Sequence, residues 1–251
     1  MAGSESSIES AASTPSPSPD GTAPVKLDAD ALSVRDLNRM TRDALSAGSD
    51  VRVRNSGARH NLGVALLRPG LVTFDSSVGY YSAGMNDGAT VEIGGSAGWG
   101  LAEGMLAGTV VVRGNAGNGA AASIRGGTVV VHGDCAARAG VAMKGGLLLI
   151  QGDAGYMTAF MMQKGVIVIC GNAGDALADS MYEGVVFVGG EIASLGNDAV
   201  IEEPTAADEA TLAQAFAQHG ITPPARLRKI VAGRRLWNFE HAELETWRHA
   251  L

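Results

Sequence analysis

The stretch GLLLIQGDAGYMTAFMMQKGVIVICGNAGDALADSMYEGVVFVGG (residues 146–190) places Gly152, Gly171 and Gly190 at a constant spacing of 19 residues. The same spacing runs backward through Gly133 and Gly114 to Gly95, preceded by a degenerate rung centred on Ser76. Four residues before these positions stand Val72, Val91, Val110, Val129, Leu148, Ile167 and Val186. Two residues before them stand Phe74, Ile93, Val112, Val131, Ile150, Ile169 and Val188. All are apolar and most are β-branched, and a spacing of two puts each pair on one face of a short strand. Burying such side chains at roughly 1.5–3 kcal/mol each provides a core.

Small residues recur at other fixed offsets. Six residues before the anchor lie Gly70, Gly108, Gly127, Gly146, Gly165 and Gly184, with Ala89 as the exception. Three after it lie Gly79, Gly98, Gly117, Gly155 and Gly174, and seven after it Ala83, Ala102, Ala121, Gly140, Ala159 and Ala178. The recurring G-x-x-G-x-x-x-A/G pattern suits a chain that bends and restacks at about 4.8 Å per turn. Asn115, Asp134, Asp153 and Asn172 follow their anchors and tolerate turn conformations. Ten residues after the anchor, Met105, Ile124, Met143, Met162, Met181 and Val200 form a second column, read as internal packing. The spacing therefore predicts an all-β, single-stranded β-helix of about seven 19-residue rungs with short helical flanks. Hexapeptide coils repeat near 18, and calcium-binding nonapeptide coils need several acidic residues per rung, so neither fits.

Composition narrows the function. The 251 residues include 35 glycines and carry a net charge of −7 without a basic patch, which argues against nucleic acid. No apolar run approaches the ~20 residues of a membrane span. Residues 1–25 are rich in Ser, Pro and Ala and read as a disordered tail, not a secretory signal. With only Cys135 and Cys170, a reducing cytoplasm is expected and no metal-ligand cluster. Residues 26–50 read as an N-terminal helical cap, in which Ser33-x-x-Asp36 opens a helix with Leu37, Met40 and Ala44 on its apolar face. Residues 51–203 are the coil. Residues 204–251 hold a second helix, opened by Thr205-x-x-Asp208 and closed by Gly220, and a basic–aromatic docking tail.

No reaction centre assembles from these residues. The glycine loops lack the Gly-Lys-Ser/Thr ending and following helix that a phosphate-binding loop requires. His60, His132, His219, His241 and His249 share no rung position, and none has a nucleophile arranged beside it. Arg59-His60-Asn61 reads as an end cap, with a substrate contact as the alternative, and Asp175, Asp179 and Glu183 as a solvated or partner-facing edge. The outward strand positions are more informative. Three before the anchor they run Thr73, Glu92, Val111, Val130, Leu149, Val168, Phe187, turning apolar toward the later rungs. Such a face must be covered, by the C-terminal helix or by another subunit. The interface expectation therefore falls on Val111, Val130, Leu149, Val168 and Phe187, with Arg235, Trp237 and Phe239 in the tail.

Gly152-Asp153-Ala154-Gly155 and Gly171-Asn172-Ala173-Gly174-Asp175-Ala176-Leu177-Ala178 resemble the GXGXG domain at the C-terminus of the glutamate synthase large subunit. The resemblance covers residues 51–203, and Arg235-Leu236-Trp237-Asn238-Phe239 is similar to the end of stand-alone versions such as that of N-methylglutamate synthase. It implies a right-handed β-helix that acts as a non-catalytic scaffold in glutamate biosynthesis and related nitrogen metabolism. Its implied partners are a class II glutamine amidotransferase-like subunit and an FMN-binding glutamate synthase-like subunit. FMN and an iron–sulfur cluster are expected on a partner, and no cofactor or catalytic residue on this chain. One component of formylmethanofuran dehydrogenase is similar too, so a place in that complex or in a formyltransferase/hydrolase complex is the alternative reading. An autonomous β-helix enzyme is a further competitor, which turnover by the purified chain would establish.

Overall fold

A computed structural model describes residues 23–233 of the protein; Arg235, Trp237 and Phe239 lie outside them, as does most of the 1–25 segment. The β-rich columns form strands β1 (Val25–Asp28), β2 (Val51–Arg54), β3 (Leu71–Phe74), β4 (Asp87–Ile93) and β5 (Ala107–Val112). They continue as β6 (Thr128–Val131), β7 (Lys144–Ile150), β8 (Lys164–Ile169) and β9 (Val185–Val188). β1 to β9 pair in sequence order and in parallel, one strand per turn of a single-stranded β-helix.

From β3 onward the register follows the predicted spacing. Val72, Val91, Val110, Val129, Leu148, Ile167 and Val186 each pair with the next member of their column. Together with the column two residues on, these side chains fill the interior, where only Phe74 has any exposure, at 1%. A second line of contact runs along another side of the coil, as single parallel bridges from Val78 through Ala97, Ala116, Cys135, Ala154 and Ala173 to Ile192.

The third side explains the small residues seven after each anchor. Positions five, seven and nine after the anchor all take left-handed backbone conformations. In one rung Met157, Ala159 and Met161 have φ of 54°, 65° and 52°. Only the middle position points inward: Ala83, Ala102, Ala121, Ala159 and Ala178 are fully buried, whereas Tyr81, Met85, Arg138 and Met161 on the flanking positions are exposed. Interior space, not backbone angle, therefore restricts that column to Ala and Gly. Left-handed geometry costs a non-glycine residue roughly 1–2 kcal/mol. The coil offsets this by bonding each amide across rungs, as in Ala121 N–H to Leu101 O at 2.8 Å and Ala159 N–H to Ala139 O at 2.8 Å.

Both ends depart from the repeat. Before the coil, α1 (Val34–Ser46) begins where Ser33 Oγ accepts the Asp36 amide, and it buries Leu37, Thr41 and Leu45. Its Asn38 side chain donates to Asn61 O at 2.7 Å and accepts from Gly63 N–H at 2.8 Å, so the helix holds the first turn closed. Strand β1, inside the segment expected to be a helical cap, adds one further parallel strand beside β2. At the other end Leu177 pairs with Leu195, one residue short of the regular spacing. Val200 is consequently not the last member of the internal column. Met105, Ile124, Met143, Met162 and Met181 are at most 1% exposed, but Val200 is 40% exposed on β10 (Ala199–Glu202). β11 (Arg228–Ala232) inserts antiparallel between β9 and β10 and closes the parallel edge.

If the inward alanine column is limited by space, Ala159→Leu should destabilise the protein by more than about 2 kcal/mol in urea unfolding. Met161→Leu, two residues away with the same backbone geometry but an outward side chain, should change it by less than about 0.5 kcal/mol.

Candidate functional site

The anchor glycines Gly95, Gly114, Gly133, Gly152, Gly171 and Gly190 stand beside a polar ladder. The residue after each anchor sends its side-chain oxygen to the amide of the equivalent residue one rung on. Asp134 N–H donates to Asn115 Oδ1 at 2.9 Å, Asp153 N–H to Asp134 Oδ1 at 2.8 Å, Asn172 N–H to Asp153 Oδ1 at 2.6 Å and Glu191 N–H to Asn172 Oδ1 at 2.9 Å. Ser77 and Ser96 extend the ladder toward the first rungs through their hydroxyls. A Cβ on any anchor would overlap the accepting oxygen of the rung before: Ser77 at Gly95, Ser96 at Gly114, Asn115 at Gly133, Asp134 at Gly152, Asp153 at Gly171 and Asn172 at Gly190. These glycines are thus structural, and turn tolerance alone does not explain the Asn/Asp column beside them. An acceptor recurring once per rung beside the anchor was the available signal.

The apolar outer face is covered from within the chain. α2 (Ala206–His219) lays Leu212, Ala215 and Phe216, followed by Ile221, onto Val111, Val130, Leu147, Leu149, Val166, Val168, Val185 and Phe187 as a second core. Of the two covers the sequence admits, the helix occupies this face. The expectation of an inter-subunit surface at Val111, Val130, Leu149, Val168 and Phe187 is corrected accordingly: each is buried, with Val111 the most exposed at 7%. Polar positions on the early rungs leave no need for such a cover, which is why α2 sits over the late ones.

α2 is fixed at its start by charge. Thr205 and Asp208 form a reciprocal capping box, and Lys229 Nζ on β11 reaches Asp208 Oδ2 at 2.8 Å, with both side chains largely shielded from solvent. Burial alone would raise the Asp208 pKa, but the hydrogen bonds from Lys229 and Thr205 outweigh it and hold the carboxyl below the usual aspartate value. At the other end Gly220 closes the helix with φ 64°, and His219 Nε2 is buried without a hydrogen-bond partner. Burial, helped by nearby His132, lowers the His219 pKa, so the ring is neutral at pH 7.

Several other polar side chains are bonded within the coil. His132 sits between Arg113 at 3.1 Å and Gln151 at 2.8 Å in one outward column. Asp175 accepts from Ser194 Oγ and Asp179 from Asn197 N–H, so both hold the final turn. Burial raises the thiol pKa of Cys170 to about 11 and that of Cys135 further, the latter with a contribution from Asp134, which keeps both protonated at neutral pH. Among the described residues no group of three or more His, Cys, Asp or Glu could hold a metal ion. Nor is any helix among them long and apolar enough to cross a membrane.

One surface feature was not anticipated. His60, Tyr80 and Trp99 stack along the first rungs, with ring centroids 4.4 and 5.2 Å apart and interplanar angles of 11° and 15°. Tyr80 N–H donates to His60 Nδ1 at 2.9 Å, which locks the histidine into the row. Tyr80, Tyr81 and Trp99 are 39%, 49% and 51% exposed. Tyr80 and Trp99 occupy the same position in successive rungs, which is the sequence signal for the row, but His60 falls one residue off that register and outside the regular rungs.

No family model matches the chain. The curated protein GlxC of Rhizobium meliloti (strain 1021) is 42% identical over 77 residues, covering 30% of this chain and 34% of that protein. The chain therefore spans about a third of the length of the curated relative it matches.

Lys229→Met should remove the anchor at the start of α2 and cost about 1.5–3 kcal/mol in chemical unfolding at pH 7. In the parent protein the Asp208 contribution is complete above the ordinary aspartate pKa of about 4 and is lost as pH falls through the lowered folded value. The acid-side decline in stability should be shallower in Lys229→Met.

Proposed function

We propose that this protein is a non-catalytic scaffold subunit of a glutamate synthase-like oxidoreductase complex. The observation that carries this reading is the train of stacked 19-residue rungs, each built on the same glycine ladder. That pattern is the one the resemblance to the GXGXG domain rests on, and the partial match to GlxC is a second support. A coil bonded rung to rung over its length cannot bend without breaking many hydrogen bonds together, which suits a rigid spacer. In this reading glutamine hydrolysis takes place on a class II amidotransferase-like partner. Flavin chemistry takes place on an FMN- and iron–sulfur-binding partner, and this chain sets their separation and orientation in the cytoplasm.

Affinity purification of the tagged, full-length chain from its native source tests the proposal. Stoichiometric recovery of an amidotransferase-like and a flavin-binding subunit is the expected result. Recovery of a stable monomer, or turnover by the isolated chain, would contradict it.

A further inference from the structure

The two ends of α2 are built differently. Its first turn is tied by charge through Lys229 and Asp208, whereas its last turn buries His219 Nε2 with nothing bonded to it. A buried ring nitrogen without a partner is unfavourable when the ring is neutral and far more so when it is charged.

The coil surface beside this ring already holds a cation. His132 lies close enough to act on His219 electrostatically, and it belongs to the outward column Arg113, His132, Gln151 and Cys170. The Arg113 guanidinium can only donate, so at 3.1 Å it makes His132 Nε2 the acceptor. His132 Nδ1–H then donates to Gln151 Oε1 at 2.8 Å. Both His132 nitrogens are occupied, and the ring offers His219 no acceptor. The neighbouring elements supply no counter-charge. Residues 210–218 of α2 and 220–225 after it contain no charged side chain, and the strand positions beneath α2 are apolar. Arg226 pairs with Glu203, Arg228 donates to Gly190 O, and Lys229 holds Asp208. On the coil, Asp134 Oδ1 is committed to the Asp153 amide.

We propose that His219 is an acid-operated latch: its protonation lifts the last turn of α2 and the segment through Pro224 from the late rungs and uncovers Cys170. Cys170 packs, half-buried, against the α2 cluster, and Pro224 lies on Gly189, the next position of the same column. Once released, the imidazolium is hydrated and no longer faces Arg113. With the His219 pKa lowered by burial, the covered form accepts a proton less readily than the released one. The cover is therefore fully held above the ordinary histidine value of about 6.5 and weakens as pH falls below it. The tie at the other end of the helix stays intact in this range, because the Asp208 carboxyl titrates below the usual aspartate value.

The native thiols report the motion in the full-length chain. Their reactivity toward a neutral aromatic disulfide is measured from about pH 7.5 to about pH 5.5, around the histidine range, and normalised to an unstructured cysteine peptide. Cys170 should become several-fold more reactive across this range, and a single proton with an ordinary value near 6.5 sets a ceiling of about tenfold. Cys135, 3% exposed within the coil, should stay unreactive throughout. In His219→Gln the Cys170 rate should lose this pH dependence. If that variant already exposes Cys170 at neutral pH, His219→Phe fills the site without a titrating group and should show the same loss. A flat Cys170 profile in the parent, or one that keeps its slope in both variants, would overturn the proposal. So would acid reactivity of Cys135 equal to that of Cys170, since the whole coil would then be opening.

Discussion

The structure depends on successive rungs meeting at one fixed offset. Backbone amides and carbonyls, the single bridges of Ala97, Ala116 and Ala154, and the Asn/Asp oxygens all find partners one turn away. A rung one residue longer or shorter would turn its apolar set outward, because side chains alternate along each strand. The anchor glycines make the offset possible: each leaves room for the acceptor of the turn before, in a place where a Cβ would collide with it. The shortened step between Leu177 and Leu195 shows the consequence, since the coil stops there and the next strand, β10, pairs antiparallel with β11.

From that constraint follows a rod with unlike sides. The interior is filled by two apolar columns and a methionine stripe, while small inward alanines allow the left-handed side to approach them. Outside, polar early rungs are compatible with water, and the apolar late rungs require α2. The helix is held by specific contacts as well as by apolar packing, because Lys229 on β11 ties its first turn through Asp208. β11 therefore serves two purposes, closing the sheet edge and anchoring the cover.

Most of the interior was legible because strand alternation leaves it no ambiguity. Val91 and Ile93, or Ile167 and Ile169, can be placed from sequence alone once the period is known. The helices at Ser33 and Thr205 were legible from their caps. What escaped depends on long-range pairing. Val25–Asp28 and Arg228–Ala232 lie outside the repeat, and only the tertiary edge they satisfy makes them strands. Val200 sits at the expected offset, yet a one-residue shortening upstream moves it to the surface. Which of two possible covers lies over Phe187 could not be read from Phe187 itself, because an apolar outward residue records the need for a cover and not its identity. The aromatic row was hidden for a related reason: Tyr80 and Trp99 are ordinary in sequence and form a row only when the rungs stack.

The apolar late rungs are covered by α2, and the Asn/Asp line is a polar seam that runs from rung to rung. The decisive measurement is a double-mutant cycle between Gly152→Ala and Asp134→Ala, read by equilibrium unfolding. If the glycine exists to admit the ladder oxygen, Gly152→Ala alone should be strongly destabilising, and its penalty should fall by at least about 1 kcal/mol when Asp134 is already Ala. Strictly additive penalties would mean that the glycine and the ladder are independent, and the proposed basis of the rung register would be wrong.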